Sequence, residues 1–139
     1  MANGNFDQSD LQQAFVRARD IFNTGPDNFD DLRPLFHPDI LYSRIHAPQR
    51  YRGLDNVITW LKSARMHQEQ PRFYPDLNEA FPNGSPQGTI QHVGGTASWT
   101  RTGFKDETIE YVFTYVRDKE GAPWLLVDAH GHLQGAGSW

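Results

Sequence analysis

Residues 107–132 read ETIEYVFTYVRDKEGAPWLLVDAHGH, and this stretch decides the fold. In its first half, aromatic residues recur at every second position and Thr or Val fills most positions between them. This period-2 pattern predicts a long strand. The polar segment 118–123, which contains Gly and Pro, predicts a turn, and residues 124–132 predict a return strand. Together they form a long antiparallel hairpin, and the rest of the chain must cover its two faces.

Apolar residues at helical intervals predict three helices ahead of most of the sheet. The first carries the stripe from Leu11 to Phe22 and is stopped by the Gly and Pro of residues 23–26. The second spans residues 28–35 and is kept short by Pro34. The third presents the stripe from Leu54 to Leu61.

Four further segments complete the pattern. Alternation in residues 40–46 predicts the first strand, which turns back through residues 51–53. Residues 72–81 predict an edge strand interrupted by proline, and residues 89–101 predict a long strand bent at a Gly-Gly pair. This order of elements predicts an α+β fold in which a strongly curved antiparallel sheet wraps around the helices.

Length and composition limit the function classes. The chain has 139 residues, which fits a single domain spanning residues 1–139. Its net charge is −4 and its 13 Lys and Arg residues are scattered, so we expect neither nucleic acid nor membrane as a partner. The absence of cysteine excludes disulfides and thiol nucleophiles. No apolar run approaches the roughly 20 residues of a membrane span, and the start of the chain lacks the apolar core of a signal peptide, so we expect a cytoplasmic protein.

Three segments resemble the NTF2-like superfamily in its SnoaL-like, polyketide cyclase-like branch. They are LRPLFHPDILY at 32–42, YRGLDNVITWL at 51–61 and YVFTYVRDKEGAPWLLVDAHGH at 111–132. The resemblance implies a cystatin-like cone with an internal cavity beneath the helices, usually paired as a homodimer through the outer face of the sheet. It implies no single activity, because the superfamily includes isomerases, dehydratases, cyclases, epoxide hydrolases and non-catalytic modules.

The resemblance also shows where this chain departs from its enzymes. Steroid isomerases of the superfamily hold acids near the positions of Arg44 and Phe113, and neither residue here is an acid. Cyclases and epoxide hydrolases of the superfamily carry an Asp on the last strand, and Asp128 lies within about one residue of that place. Because a shift of one residue on a strand reverses the face, this match does not fix the direction of the side chain.

The last strand carries the first group of candidate catalytic residues. If alternation continues from Trp124, Asp128 and His130 face the cavity, where an imidazole and a carboxylate could exchange protons with a ligand. The alternative is that both are hydrogen-bonded polar residues of an inert cavity. A metal site of His130 and His132, completed by Asp128 or His46, is a weaker alternative because no spacing requires it.

The first strand carries the second group, namely Tyr42, Arg44 and His46, which share one face if the strand continues through residue 46. We predict that Tyr42 or Arg44 steadies an oxyanion while an acid or base residue moves a proton. The alternative assigns Arg44 to an ion pair and Tyr42 to the core. Neither mechanism requires a metal or a nicotinamide cofactor.

Aromatic residues supply the predicted lining of the cavity, and most others belong to the core. The predicted substrate-binding residues are Phe15, Trp60, Trp99, Tyr111, Phe113 and Tyr115.

Two function classes follow from these patterns. In the first, the protein is a cofactor-independent lyase, isomerase, cyclase or hydrolase that acts on a small apolar or aromatic molecule. In the second, it is a non-catalytic ligand-binding or dimerisation module. In both we expect a homodimer, because three helices cannot cover the second face of the sheet, which includes Val112 and Val127.

Overall fold

The computed structural model describes residues 6–134 and contains one six-stranded sheet with the strand order β2-β1-β6-β5-β4-β3. The strands are β1 (Phe36–Ser43), β2 (Arg50–Arg52), β3 (Arg72–Pro75), β4 (Ile90–Thr100), β5 (Glu107–Val116) and β6 (Leu125–Leu133). All neighbouring strands are antiparallel except β1 and β6, which run parallel. The predicted α+β fold with a curved sheet is confirmed, and β5 and β6 form the predicted hairpin.

The helices lie on the inner face of this sheet and differ in part from the prediction. They are α1 (Leu11–Thr24), a 3₁₀ helix (Phe29–Leu35), α2 (Leu54–Leu61), α3 (Ala64–Glu69) and α4 (Leu77–Ala80). The second predicted helix is a 3₁₀ helix that contains Pro34, which cannot donate to a helical hydrogen-bond ladder. Among residues 6–134, no helix is both long enough and apolar enough to span a membrane.

The predicted strand over residues 72–81 is wrong in its second half. β3 ends at Pro75 because the next residue, Asp76, starts α4. The Asp76 side chain accepts hydrogen bonds from the backbone N–H groups of Asn78 and Glu79, which is how an N-cap residue satisfies the first turn of a helix.

The core lies between the concave face of the sheet and the helices. α1 places Leu11, Ala14 and Phe15 against it, each with 1% or less of its surface exposed. On the strand side, Tyr115 and Trp124 are equally buried. Each buried aromatic side chain contributes on the order of 2–3 kcal/mol of apolar transfer free energy, so this cluster is a main source of stability.

A β-bulge at Val127 sets which side chains of β6 reach the cavity. Leu126 pairs with Tyr115, whereas Asp128 pairs with Thr114, so Val127 is an extra residue between two successive pairs. The bulge reverses the alternation of β6. After it, the residues that share the inner face with Leu126 are Ala129 and Gly131, opposite Phe113 and Tyr111.

Candidate functional site

A cavity of about 90 Å³ lies between α1, α2 and the concave face of the sheet. Its walls are almost entirely apolar, with Ala18 and Phe22 from α1, Leu61 from α2, and Ile109 and Ala129 from the sheet. For comparison, an engineered apolar cavity of about 150 Å³ is large enough to hold benzene. The cavity therefore accepts only a very small molecule unless some of the lining side chains move.

Four of the six predicted substrate-binding residues line this cavity, and two do not. The four are Phe15, Trp99, Tyr111 and Phe113. Trp60 instead lies in a shallow surface groove, where its ring stacks on Tyr51 with 5.1 Å between centroids. Tyr115 is 1% exposed and is part of the core, but it does not line the cavity.

Two hydrogen-bond donors on cavity-lining residues have no partner. The Nε1 of Trp99 and the hydroxyl of Tyr111 are both buried and make no hydrogen bond within the described chain. Burial raises the pKa of Tyr111, and the negative charges of Glu79 and Asp76 raise it further, so its hydroxyl stays protonated. A buried donor without a partner costs about 1–3 kcal/mol, so both groups favour a ligand that carries an acceptor.

Tyr42 lines the cavity as predicted for the first strand. It pairs with Ala129 across the parallel β1–β6 ladder, which places its side chain on the inner face. Burial raises the pKa of Tyr42 to about 12; the charge of Arg44 lowers it and Tyr51 raises it, both by less. The hydroxyl is therefore a donor at neutral pH.

Arg44 and His46 do not share a strand face with Tyr42, and this part of the prediction is wrong. β1 ends at Ser43, and the Arg44 N–H donates to the Gln49 carbonyl across the loop that joins β1 to β2. The guanidinium of Arg44 lies 4.7 Å from the centroid of the Trp60 ring, and Arg44 is not among the residues that line the cavity.

The strand register places Asp128 and His130 on the outer face of the sheet, contrary to the prediction, although His130 is still among the residues that line the cavity. Asp128 pairs with Thr114, and His130 pairs with Val112, whose side chain is 49% exposed. Paired residues of antiparallel strands share a face, so both side chains belong to the outer face of the sheet, although His130 touches the cavity wall. The cause is the bulge at Val127, which reverses the alternation that begins at Trp124.

His46 contacts a carboxylate that the sequence did not single out. Its Nε2 lies 2.8 Å from Oε1 of Glu107, the first residue of β5, and the two side chains are 22% and 25% exposed. Arg101 approaches the same oxygen at 3.5 Å. The period-2 pattern places Glu107 on the inner face of β5, but nothing in the sequence relates it to a histidine 61 residues away.

The alternative metal site finds no support in the described part of the chain. Between residues 6 and 134, no group of three or more His, Asp and Glu side chains is arranged to hold a metal ion. His132 is paired with Glu110 at 3.1 Å on the outer face, whereas His46 is on the inner side with Glu107.

Comparison with solved structures identifies the fold. An NTF2-like protein with a cystatin-like fold from Novosphingobium aromaticivorans superimposes with a TM-score of 0.70 at 12% identity, covering 94% of this chain and 84% of that one. A proposed dehydratase of the NTF2-like family from Streptomyces avermitilis gives a TM-score of 0.69 at 14% identity, covering 94% and 98%. A proposed ketosteroid isomerase from Parabacteroides distasonis gives 0.59 at 11% identity, covering 91% and 89%.

The chain thus has the NTF2-like, cystatin-like cone fold that the sequence predicted. No protein-family model matches the sequence, and no curated protein matches it. At identities of 11–14%, the structural matches establish the fold and leave activity to be argued from the site.

Proposed function

We propose that this chain is a SnoaL-like binding protein that takes up a small, largely apolar molecule carrying one hydrogen-bond acceptor inside the cone. The observation that carries the proposal is the apolar cavity, two of whose lining residues, Trp99 and Tyr111, each carry a buried donor without a partner in the described chain. An apolar ligand gains by displacing poorly bonded water, and an acceptor on that ligand would satisfy a donor that the fold leaves unpaired.

Size limits the ligand. The cavity of about 90 Å³ holds less than one six-membered ring, so a ring must displace lining side chains as it enters. Phe22 is the best candidate to move, because it is only partly buried. Its ring packs against those of Phe29 and Trp99, with centroids 5.6 and 5.8 Å away.

The strand register places Asp128 and His130 on the outer face, and of the two only His130 lines the cavity, so a joint acid/base role for both inside the cone is not supported. The binding-module function is therefore favoured over an enzyme that uses these two residues. Two of the similar structures are named as a proposed dehydratase and a proposed ketosteroid isomerase. A cofactor-independent isomerase or lyase requires acid and base groups on the inner side of the sheet.

The proposal includes a homodimer formed through the outer face of β4, β5 and β6. This face exposes the large apolar side chains of Ile90 and Val112, at 62% and 49%. By register, β6 adds Asp128 and His130 to this face, and neither side chain has a hydrogen bond or ion pair within residues 6–134. A second copy would cover the apolar residues and could supply polar partners.

Binding of two ring-sized probes tests the cavity. Cyclohexanone carries an acceptor, and methylenecyclohexane has nearly the same shape without it. We expect saturable binding of both by calorimetry or NMR titration, and Trp99→Phe should weaken only the ketone, by about 3- to 10-fold, if Nε1 donates to its oxygen.

A pair of matched helix substitutions separates cavity binding from surface binding. Ala18→Leu adds three carbons into the cavity from α1, whereas Ala64→Leu makes the same change on the exposed surface of α3. We expect Ala18→Leu to reduce the affinity for both probes by at least about tenfold and Ala64→Leu to leave it unchanged. Absence of saturable binding in the original protein, or equal binding by both variants, would overturn the proposal.

A further inference from the structure

A basic groove lies at the free edge of the sheet, outside the cone. β2 is the last strand on one side of the sheet, so it has a neighbouring strand on one side only. The groove is lined by all three residues of β2 and, opposite them, by Asn56, Thr59 and Trp60 of α2. It shares no lining residue with the apolar cavity, so the groove is a separate site.

The groove contains two guanidinium groups that the protein itself does not use. Arg50 and Arg52 are exposed, and neither side chain makes a hydrogen bond or ion pair within residues 6–134. Every other arginine in that range has an ion pair, a hydrogen bond or a cation–π contact. Asp55, the acidic residue nearest to them in sequence, is paired with Arg33 at 2.7 Å. Two neighbouring positive charges are therefore available to an anion.

The backbone of β2 adds donors at the same edge. Gln49 and Gly53, on either side of β2, make the backbone hydrogen bonds toward β1 and its loop. Because such bonds recur at every second residue of an antiparallel strand, the N–H groups of Arg50 and Arg52 point away from β1, toward the free edge. The Asn56 side chain donates to the Arg52 carbonyl at 2.9 Å. The acceptor of Arg52 is thus occupied, while the N–H groups stay open to a ligand.

Two stacked aromatic rings form the apolar part of the groove. The rings of Tyr51 and Trp60 are nearly parallel, at 11°, with 5.1 Å between their centroids. Both residues are only partly buried. The Arg44 guanidinium, which donates to the Gln49 side chain, lies 4.7 Å from the Trp60 centroid and adds a third positive charge nearby. A partly exposed aromatic pair of this kind is a surface on which the ring of a ligand can pack.

An edge strand often carries charged residues that prevent pairing with another chain, and Arg50 and Arg52 suit that role. It does not account for the aromatic pair of Tyr51 and Trp60 beside them. A ligand that combines an anion with an aromatic ring would use the guanidinium groups, the edge N–H groups and the aromatic pair together. Charge and shape therefore both favour such a ligand.

We propose that this groove binds a small aromatic phosphate ester, with the phosphate on Arg50 and Arg52 and the ring against Tyr51 and Trp60. The planar fork of a guanidinium matches two phosphate oxygens and binds them through charge-assisted hydrogen bonds. The site is independent of the cavity and of the apolar ligand proposed for it.

Three probes test the two halves of the site by NMR titration of the ¹⁵N-labelled full chain at physiological ionic strength. They are phenyl phosphate, methyl phosphate, which lacks the ring, and benzyl alcohol, which lacks the charge. We expect saturable binding of phenyl phosphate, with shifts at Arg50, Arg52 and the Trp60 indole. Methyl phosphate should bind at least about fivefold more weakly, and benzyl alcohol at least about tenfold more weakly.

Two of the possible results contradict the proposal directly. Equal affinities for phenyl phosphate and methyl phosphate would overturn the aromatic half of the site. Absence of saturable phenyl phosphate binding would overturn the site as a whole, and it would do so even if the protein bound vesicles containing phosphatidylserine, because the groove would then be a membrane contact.

A pair of double variants separates the groove from general electrostatic attraction. Arg50→Gln with Arg52→Gln removes two positive charges from the groove. Lys105→Gln with Lys119→Gln removes two elsewhere, and both lysines are exposed and without an ion pair in the described chain. We expect the arginine variant to bind phenyl phosphate at least about tenfold more weakly and the lysine variant to stay within about twofold of the parent. Equal losses would overturn the site.

Two further variants test the ring contact and the independence of the groove, with folding checked by circular dichroism. Trp60→Leu should weaken phenyl phosphate to the level of methyl phosphate; if it does not fold, the comparison of the two probes on the parent decides. Ala18→Leu, which narrows the cavity, should leave phenyl phosphate binding unchanged, whereas the double arginine variant should still bind cyclohexanone. Loss of phenyl phosphate binding in folded Ala18→Leu would place the probe in the cavity and overturn the groove site.

Discussion

The guanidinium carbon of Arg117 lies 4.1 Å from the centroid of the Trp124 ring, and this buried cation–π contact joins the two ends of the turn between β5 and β6. The Arg117 side chain is only 3% exposed. It also donates to the backbone carbonyls of Gly88 and Ser9, at 2.6 and 3.1 Å, and to the Glu120 carboxylate at 2.9 Å. One side chain thus joins the start of α1, the approach to β4 and the hairpin turn.

We predict that Arg117→Met reduces the free energy of unfolding by about 2–4 kcal/mol. Methionine can fill part of the space, but it leaves two partly buried carbonyl oxygens, those of Gly88 and Ser9, without their charged donor. Arg65→Met is the control, because Arg65 is 53% exposed and a surface ion pair contributes about 0–1 kcal/mol. Chemical denaturation measures the free energy of unfolding of both variants. Equal losses would contradict the prediction that Arg117 contributes more than a surface ion pair.

Phe15 is the central contact of α1 with the sheet. It is 1% exposed, and its ring centroid lies 5.4–6.2 Å from those of Phe73, Phe81, Tyr111 and Phe113. We predict that Phe15→Ala lowers the free energy of unfolding by about 3–5 kcal/mol, as expected when a buried ring leaves a cavity.

Phe104 gives the matched control for this change. It is 50% exposed and contacts mainly the Arg101 guanidinium, at 3.7 Å from the ring centroid. Phe104→Ala should cost less than about 1 kcal/mol in the same denaturation experiment. A loss below about 1 kcal/mol for Phe15→Ala would mean that the cavity and its surroundings repack around the missing ring.

The parts of the fold that depend on side-chain period were predictable from the sequence. The alternation of β5 is unbroken from Glu107 to Val116, so its inner and outer faces agree with the period-2 pattern. The bulge on β6 was not predictable, because Val127 is apolar and suits either face while the bulge itself is a main-chain feature. One extra residue therefore moved Asp128 and His130 to the opposite side from their predicted position.

Only part of the candidate site could be predicted, for a related reason. Phe15, Trp99 and Tyr42 were assigned to the cavity because strands and helices impose a direction on each side chain. The His46–Glu107 contact joins a loop to a strand across 61 residues of sequence. The loop has no period, so a single sequence does not indicate where its side chains point.

Buried tyrosines predict a loss of stability at alkaline pH. Burial raises the pKa of Tyr42 from 10.0 to about 12 and also raises the pKa of Tyr115. Between about pH 10 and pH 12 the unfolded chain loses these protons while the folded protein keeps them. The free energy of unfolding therefore keeps its full value below about pH 10 and falls as the pH rises through this window.

Tyr115→Phe tests this linkage. The buried hydroxyl has no partner within residues 6–134, so its removal should leave stability at pH 7 unchanged or raise it by up to about 1 kcal/mol. The decline of stability above pH 10 should become shallower in this variant. Tyr74→Phe is the control, because Tyr74 is 52% exposed, and denaturation curves recorded from pH 7 to pH 11 compare the two. An identical alkaline decline in Tyr115→Phe and the parent would contradict the prediction.

The proposed homodimer predicts that a charge at Val112 weakens self-association. Val112 is at the centre of the outer face, opposite Gly94 on β4 and His130 on β6. In a dimer with twofold symmetry through this face, Val112→Asp would bury a carboxylate in each copy beside an apolar neighbour. Removing a carboxylate from water in the interface costs more than about 1.4 kcal/mol, so dimerisation should weaken by more than tenfold. Thr59→Asp, a change of similar size on the exposed side of α2, should leave association unchanged. Sedimentation equilibrium measures all three proteins, and a parent chain that stays monomeric at micromolar concentration would exclude the dimer.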